Sequence, residues 1–503
     1  MPMQERTFNR KILAILLLAL GLRLLGIVSR PIWYDEAFSI LFSEKGLSAM
    51  LYGTLAPTGI GSADIHPLGY YTMLWMWMKI FGRSLVAARS LSILAGLISV
   101  YMVYLIALEA TSDTKTAYIS MLFAALAPFQ IHYAQEIRMY AFLAMWLLLA
   151  TYAYQRGASG GGWVWWGLFS ISAAFAQYSH NLAAFYLVSL ALLPILQKNW
   201  RAFRNMVISG IGALIIYSPW LAQLPAQFNK VQNAYWVGRP DVSKLFTLLL
   251  VYIMNTPLPV QFIATALAIV LIIVIIGIIQ TLRYNRQTQS GVGGWLLYLS
   301  FGPPLLLFLF SQWQPVYIER ALLPSGIIFC IWLAWVIRNT NMRKAVQYTV
   351  IGLLAISSIV GIYQHLTYRD FPYGPFQALG QSLRERFDTQ SVIVHSNKLS
   401  MLPAMLFDRD LAQSFIGDEP GSPADTLAVA TQEVLNIKAE DNIKSATIGA
   451  KRVWYIIYAH SIAEYKAGEQ RTHPDLEYLD ANYSLQFVEN WDGLQLFLYS
   501  TEP

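Results

Sequence analysis

Two adjacent carboxylates lie directly after the first long apolar stretch of the chain. Asp35 and Glu36 follow Trp33-Tyr34, a few residues beyond an apolar run from Lys11 to Val28. A carboxylate beside lipid is energetically costly, so one found at such a boundary is by default a functional candidate. The alternative interpretation is a pair of solvated loop charges without a chemical role. The other polar groups along the chain decide between these two interpretations.

A second group of polar side chains follows Pro128, where one predicted helix ends. His132, Tyr133, Gln135, Glu136, Arg138 and Tyr140 fall within nine residues at a predicted membrane boundary. A guanidinium matches a phosphate group bidentately, so Arg138 is a candidate phosphate ligand. The alternative is a local ion pair in which Glu136 and Arg138 only neutralise each other. Arg320 opens a later predicted span on the outer side, where a lipid phosphate is an equally suitable partner.

Composition places these groups in an integral membrane protein. Of the 503 residues, 56% are hydrophobic and 13% are charged, whereas soluble domains carry roughly 25% charged residues. Residues 1–363 hold 24 Lys and Arg against 10 Asp and Glu, and residues 364–503 hold 11 against 19. This shift predicts two domains, 1–363 in the membrane and 364–503 outside it. The single cysteine, Cys330, excludes an intrachain disulfide framework.

Eleven membrane-spanning helices are predicted, within a range of 10–13. Clusters of Lys and Arg mark the cytoplasmic loops, and an even number of spans must separate them. The apolar segment Pro67–Phe81 is therefore predicted to lie at the outer interface, with a second interfacial helix at Phe38–Tyr52. The N-terminus is then cytoplasmic, the first span is retained, and the loop 30–85 is external. The predicted spans are 11–29, 86–108, 117–131, 139–154, 163–178, 182–197, 206–224, 260–282, 294–312, 320–338 and 345–363.

The external region 364–503 is predicted to be an α/β domain. Ser391–His395 and Arg452–Tyr458 are short β-rich runs, and Phe376–Phe387 is a candidate helix. The segment Leu485–Leu498 is predicted to form a hairpin with Asp492-Gly493 at its turn. Because the region carries no catalytic constellation, it is expected to bind the acceptor or to cap the membrane domain.

Several short motifs in a fixed order resemble the GT-C glycosyltransferases. The resemblance is to the bacterial group related to protein O-mannosyltransferases and to the aminoarabinose transferase of lipid A, in glycosyltransferase family 39, and it covers about residues 10–340. In the family His-Pro-Pro is common, whereas Leu68 replaces the second proline here. The matching motifs are Trp33-Tyr34-Asp35-Glu36, His66-Pro67-Leu68, Arg89-Ser-Leu-Ser, His132-Tyr-Ala-Gln-Glu-Ile-Arg138-Met-Tyr140 and Glu319-Arg-Ala-Leu-Leu-Pro324.

The resemblance implies a GT-C fold and a polyprenyl-phosphate-linked sugar donor used on the outer face. It implies that Asp35 is the general base of an inverting transfer, with Glu36 tuning or orienting it. Arg138 and Arg320 are expected to receive the leaving phosphate, and Glu136 is expected to position Arg138. The remaining residues predicted to line the substrate site are His66, Tyr133, Gln135 and Tyr140.

Cofactors and partners follow from the same comparison. A divalent metal, Mg²⁺ or Mn²⁺, is an option because several side chains can supply oxygen or nitrogen ligands, although no spacing requires one. The partners expected are membrane lipids, the lipid-linked donor, and a lipid, glycan or protein acceptor, with no nucleic acid. The alternative function is a transporter or flippase for a lipid-linked sugar, and a third is a scaffold or receptor without chemistry. The candidate metal ligands are Asp35, Glu36, Asp64, His66 and Glu136.

Overall fold

A computed structural model of the chain describes residues 9–56, 66–233, 236–288, 291–418, 422, 426–467 and 472–502. The first part of the chain is helical throughout. A 3₁₀ turn, Glu319–Leu322, leads directly into α16. The helices are α1 (Arg10–Leu24), α2 (Tyr34–Ser43), α3 (Leu47–Leu55), α4 (Gly69–Phe81), α5 (Leu85–Thr111), α6 (Thr114–Leu126), α7 (Pro128–Ala134), α8 (Tyr140–Ala158), α9 (Trp163–Ser179), α10 (Ala183–Leu196), α11 (Trp200–Leu221), α12 (Leu224–Asn233), α13 (Ser243–Ile253), α14 (Val260–Thr288), α15 (Val292–Phe310), α16 (Leu323–Asn339) and α17 (Lys344–Thr367).

Ten of the eleven predicted spans lie mainly on one helix each: α1, α5, α8, α9, α10, α11, α14, α15, α16 and α17. The prediction of one continuous helix at 117–131 is wrong, because the chain is extended at Ala127 and this segment is divided into α6 and α7. In the described part of the chain, five helical segments are long and apolar enough to cross a membrane. The chain is therefore an integral membrane protein. Helices as short as α6, with 13 residues, extend only about 20 Å, so the count of eleven spans stays a prediction. The five segments are Leu85–Thr111, Val260–Thr288, Val292–Phe310, Glu319–Asn339 and Lys344–Thr367.

The loop after α1 contains two short helices where one was predicted at Phe38–Tyr52. That prediction is wrong because α2 ends at Ser43 and α3 begins at Leu47. Gly46, between them, has φ +86°, a conformation that ends a helix and that side chains rarely adopt. The helix predicted at Pro67–Phe81 is present as α4. Residues 58–62, whose sequence Thr-Gly-Ile-Gly-Ser is typical of a turn, and Asp64 lie outside the described residues.

A break in the bundle produces the short helix that carries part of the site. Helix α6 ends at Leu126, because Ala127 adopts an extended ψ of 119° before a proline. Pro128 then begins α7, a position where its missing N–H costs nothing. The chain leaves α7 at Gln135 and enters α8 at Tyr140. The irregular segment between them places Glu136 and Arg138 inside the protein.

The C-terminal region combines helices with a six-stranded sheet in the order β3-β2-β1-β4-β6-β5, and its division from the first part as a separate domain stays a prediction. Strands β3, β2, β1 and β4 are parallel, and β6 and β5 continue the sheet antiparallel. The predicted strands, helix and hairpin are confirmed. The elements are α18 (Phe376–Arg386), β1 (Ser391–His395), α19 (Lys398–Phe407), β2 (Gln413–Ile416), α20 (Val429–Leu435), β3 (Ala439–Glu440), α21 (Ile443–Ala446), β4 (Arg452–Tyr458), α22 (Ala459–Ala467), α23 (Pro474–Asn482), β5 (Ser484–Trp491) and β6 (Leu494–Ser500).

The C-terminal domain packs on the loop that follows α1. Helix α19 lies against α2, and α20 lies against α3. Thr431 Oγ1 donates to the carbonyl of Gly53 at 2.9 Å, and Arg409 Nη1 contacts Glu44 Oε1 at 2.6 Å. A side chain at Gly53 would meet Phe42 at 2.9 Å, so the contact depends on this glycine. Helix α17 continues to Thr367, past the boundary predicted at residue 363.

Candidate active site

Asp35 is shared by two arginines that come from distant parts of the chain. Its Oδ2 lies 3.4 Å from Arg320 Nη1 and 3.6 Å from Arg138 Nε. Asp35 sits in the first turn of α2, where its backbone carbonyl accepts a hydrogen bond from Ser39 Oγ at 2.7 Å. Arg138 comes from the segment before α8, and Arg320 from the 3₁₀ turn before α16. The three residues that the sequence placed at the centre of the site therefore lie together.

Aromatic rings surround the guanidinium of Arg320. Its central carbon lies 5.3 Å from the ring centre of Tyr140, 5.6 Å from Trp33 and 5.9 Å from Trp236. Cation–π contacts of this kind hold a guanidinium in place while leaving its N–H groups for other acceptors. Tyr133 packs edge-on against Tyr140 with ring centres 5.3 Å apart, so both predicted tyrosines belong to this wall.

Arg138 is held by hydroxyl groups on neighbouring helices. Its Nη1 donates to Tyr71 Oη at 3.0 Å and to Ser39 Oγ at 3.4 Å. The side chain is buried, whereas Arg320 is partly exposed. Arg138 therefore contacts Asp35 from inside the protein, and Arg320 contacts it from a more exposed side.

Glu36 is engaged by Arg89 and not by Asp35. Its carboxylate accepts from Arg89 Nε at 3.1 Å and Nη2 at 3.0 Å, and from the backbone N–H of Ile137 at 3.3 Å. Both side chains are completely buried. Arg89 also donates to the carbonyls of Ile27 and Arg30, at 2.7 and 3.1 Å. Glu36 therefore ties α2 to α5 and to the end of α1, and it positions the backbone that carries Asp35.

Glu136 pairs with Arg30 and His132. Its Oε1 lies 3.2 Å from His132 Nε2 and 3.7 Å from Arg30 Nη2. The sequence interpretation paired Glu136 with Arg138; the structure shows these two other partners at ion-pair distance. Its Oε2 is buried without a hydrogen bond. Burial raises the pKa of Glu136, and the neighbouring guanidiniums, Arg30 first, oppose that shift.

Gln135 and His66 lie at the margins of the site. The amide nitrogen of Gln135 donates to the carbonyls of Arg23 and Leu25, both at 2.8 Å, and so fixes the end of α1. The His66 ring lies 4.9 Å from that of His180. The His180 ring in turn lies 5.9 Å from Tyr140, so His66 joins the site through a chain of rings.

No role was predicted from the sequence for a group of residues that surround the site: Arg30, Arg89, Asn255, His365 and Tyr373. Arg89 gave a detectable signal, because a charge within an apolar span is costly unless it is paired. His365 lies at the end of the last span, 233 residues from His132. No local pattern links two residues at such a distance.

The site carries an excess of positive charge. Four arginines (Arg30, Arg89, Arg138 and Arg320) face three carboxylates (Asp35, Glu36 and Glu136). Glu36 and Glu136 each face one arginine, so the excess charge is located where two guanidiniums share Asp35. Such a pair is suited to a phosphate, which guanidinium groups bind bidentately.

The sequence contains side chains that could bind a divalent metal. Among the residues that the structure describes, no three His, Cys, Asp or Glu side chains are grouped closely enough to hold an ion. Asp64, one of the five candidate ligands, lies outside those residues. The metal option therefore stays a prediction.

Comparisons of the sequence with known proteins agree on a class. A family model described as dolichyl-phosphate-mannose-protein mannosyltransferase matches residues 65–222. The undecaprenyl phosphate-alpha-4-amino-4-deoxy-L-arabinose arabinosyl transferases of Pseudomonas aeruginosa (strain UCBPP-PA14) and Pseudomonas paraeruginosa (strain DSM 24068 / PA7) are each 26% identical over 240 residues. These alignments span 45% of this chain and 42% of the relatives, so the chain covers less than half the length of the curated proteins that it matches.

Solved structures resemble the whole chain. ArnT from Cupriavidus metallidurans matches 97% of this chain and 97% of its own, with a TM-score of 0.65 at 10% identity. The Archaeoglobus fulgidus oligosaccharyltransferase, solved with zinc and sulfate, matches 98% of this chain and 73% of its own, with a TM-score of 0.51 at 11% identity. The chain therefore shares its fold with ArnT and with this oligosaccharyltransferase. The similarities agree with the resemblance to GT-C glycosyltransferases that the ordered motifs indicated.

Proposed function

We propose that the protein is a membrane glycosyltransferase that moves a sugar from a polyprenyl-phosphate donor to an acceptor hydroxyl. The single observation that carries this proposal is the position of Asp35 between Arg138 and Arg320. A candidate base and two candidate phosphate-binding groups are therefore in direct contact. Inverting transfer needs a base for the acceptor and groups that stabilise the leaving phosphate.

The phosphate of the donor is placed against the two arginines. As the bond between the sugar carbon and the phosphate oxygen breaks, its electron pair passes to the phosphate, whose charge the guanidiniums stabilise. Arg138 is fixed by Tyr71 and Ser39, so it needs little reorganisation when the charge develops. Support for a lipid-linked donor also comes from a second structure of ArnT from Cupriavidus metallidurans, solved with undecaprenyl phosphate, at a TM-score of 0.63.

Asp35 accepts the proton of the acceptor hydroxyl as its oxygen bonds to the sugar carbon. The bond to phosphate breaks on the opposite face, so the configuration of the sugar inverts. A positioned base typically contributes ~10²–10⁴-fold to such a step. Glu36 acts through the backbone: with Arg89 it holds the first turn of α2 at the site.

The acceptor is a lipid, a glycan or a protein on the outer face of the membrane. The C-terminal domain covers the loop that carries Asp35, and Lys398 of α19 lies 5.4 Å from the ring centre of Tyr34, next to Asp35. An acceptor approaching the base therefore passes between the membrane bundle and this domain.

Incubation of the purified protein with a panel of radiolabelled polyprenyl-phosphate sugars tests the proposal. Transfer of label to a lipid or protein fraction is expected, with inversion at the sugar carbon. The flippase alternative predicts movement of the intact donor across a vesicle membrane without cleavage of its phosphate bond. Donor movement without label transfer, over the whole panel, would overturn the proposal.

A further inference from the structure

A cavity of about 470 Å³ lies at the end of the bundle opposite to Asp35. Arg320 and Arg338 mark the two ends of the segment that contains α16, and a helix of its 17 residues is about 26 Å long. This cavity is therefore separate from the proposed phosphate site. It lies between α1, α6 and α16 and is lined by Lys11, Ala14, Ile15, Lys115, Tyr118, Ile119 and Arg338.

Three cations converge on the cavity from three different helices. Lys11 lies in the first turn of α1, Lys115 in the first turn of α6, and Arg338 in the last turn of α16. Lys11 Nζ lies 5.6 Å from the ring centre of Tyr118. Within the described part of the chain, neither lysine has a carboxylate at ion-pair distance.

The nearby carboxylate of Asp113 offsets only one of the three positive charges of this cluster. It caps α6, accepting from the backbone N–H groups of Lys115 and Thr116, both at 3.1 Å, and from Thr116 Oγ1 at 2.6 Å. Arg338 reaches it only at 3.9 Å, and Arg338 is about one-third exposed. The cavity therefore holds a concentration of positive charge that an anion can neutralise.

The rest of the lining is apolar and continues onto a surface suited to lipid tails. Ala14, Ile15, Tyr118 and Ile119 form this part of the cavity. Further along α1, Leu17 is 57% exposed and Leu18 is 42% exposed. A ligand that satisfies both surfaces has an anionic head and hydrocarbon chains. Basic pockets between membrane helices on the cytoplasmic side bind such lipid headgroups.

We propose that this cavity binds the phosphate headgroup of an anionic phospholipid of the cytoplasmic leaflet. The phosphate lies between Lys11, Lys115 and Arg338, and the acyl chains follow the exposed leucines of α1. The site is independent of sugar transfer and of the donor phosphate. Its bound lipid joins α1, which leads to Asp35, with α6 and α16.

Native mass spectrometry of the full chain in detergent, with phosphatidylglycerol or phosphatidylcholine added, tests the proposal. The variant carries Lys11→Gln, Lys115→Gln and Arg338→Gln. The control removes the same charge from predicted cytoplasmic loops outside the cavity, by Lys198→Gln, Arg201→Gln and Arg283→Gln. We expect preferential retention of phosphatidylglycerol by the wild type and the control, and a loss of about fivefold in affinity for each cavity charge removed.

Equal retention of phosphatidylglycerol by the cavity variant and the control would overturn the proposal. So would equal retention of the two lipids by the wild type. Inorganic phosphate is added in a separate measurement. Binding of phosphate alone, without preferential retention of the lipid, would identify a simple anion site and reject the lipid. If the triple variant fails to fold, Lys115→Gln is tested against Lys198→Gln, and equal affinities would again reject the site.

Discussion

The side-chain oxygen of Gln135 accepts a hydrogen bond from Nε2 of His365 at 2.6 Å. This oxygen is identified because the amide nitrogen of Gln135 donates to two backbone carbonyls. A neutral His365 therefore has a lone pair on Nδ1, which faces Nδ1 of His132 at 3.2 Å. Asn255 Nδ2 lies 3.0 Å from the same nitrogen of His132. His132 Nε2 lies 3.2 Å from both Arg30 Nη2 and Glu136 Oε1, so His132 links α17 to Glu136.

Glu136→Gln tests whether the site needs a charged carboxylate at this position. Glu136 Oε1 lies 3.2 Å from His132 Nε2 and 3.7 Å from Arg30 Nη2. The substitution keeps the size and polarity of the side chain and should keep single-turnover transfer within about threefold of the wild type, since a typical hydrogen bond contributes ~1 kcal/mol. Glu136→Ala removes the polar group and should lower the melting temperature. A loss of transfer in Glu136→Gln as large as that in Asp35→Asn would show that an ionised carboxylate is needed here.

Asp35→Asn should stop sugar transfer while donor binding survives. The change removes basicity and keeps size and polarity, so we expect a fall in rate of ~10²-fold or more. Asp35→Glu should rescue poorly, because a displacement of about 1 Å can cost ~10²-fold. Single-turnover transfer and donor binding are measured in the same preparation. Transfer by Asp35→Asn at the wild-type rate would reject the base, and loss of donor binding would make Asp35 a binding residue.

Arg138 and Arg320 should affect donor binding and turnover together. Replacing either with Ala removes a charged hydrogen-bond donor, typically worth about 1.5–3 kcal/mol, so donor affinity should fall about 10- to 100-fold. Arg138→Lys keeps the charge but loses the planar fork and should fall in between. Arg83→Ala is the control, since this arginine lies on the loop that carries Asp35 and its side chain is 57% exposed. Donor titration that finds all variants equal to Arg83→Ala would remove the two arginines from the site.

Glu36→Gln should lower the stability of the fold, and its effect on sugar transfer should be indirect. The substitution leaves Arg89, which is completely buried, without a counter-charge, a situation that typically costs about 3–5 kcal/mol. Combining Glu36→Leu with Arg89→Met removes both charges and should be less damaging than either single change. Melting temperatures of the single and double variants measure the coupling. Additive losses would show that the pair does not act as a unit.

His395 should make the C-terminal domain sensitive to acid. Its ring is buried in β1, between Ser400 Oγ at 3.0 Å and Gln413 Oε1 at 2.9 Å. Burial lowers the pKa of His395 from 6.5 to about 4. The neutral form therefore stabilises the folded domain above pH 6.5, and this contribution is lost as the pH falls from 6.5 toward 4. At 1.36 kcal/mol per pKa unit the total is about 3 kcal/mol.

Denaturant titrations of the full chain at several pH values measure this effect. His395→Gln keeps a polar side chain and removes the titration, so its stability should change less between pH 6.5 and 4. Parallel curves for the wild type and this variant would rule out His395 as the source of acid sensitivity.

The sequence predicted the parts of the site that repeat a local pattern. Asp35, Arg138 and Arg320 stand at boundaries between apolar runs and polar segments, where composition changes abruptly. The roles of Arg89, which pairs with Glu36, and of His365, which contacts Gln135, escaped prediction because these residues lie within or at the ends of apolar spans. Their contacts join helices 53 and 230 residues apart in the chain. The break between α2 and α3 falls at Ser43-Glu44-Lys45-Gly46, where four non-apolar residues interrupt the apolar run and Gly46 adopts a positive φ.

The contact between the C-terminal domain and the loop after α1 also orders events during synthesis. Thr431 and Gly53, which form one of its hydrogen bonds, are 378 residues apart. At ~5–20 residues per second, a ribosome needs roughly 20–75 s to make the intervening chain. During that interval the faces of α2 and α3 that contact α19 and α20 are not covered by these helices. A nascent chain of this protein therefore exposes the loop that carries Asp35 to chaperones, proteases and lipid headgroups long before the C-terminal region that packs on this loop has been made.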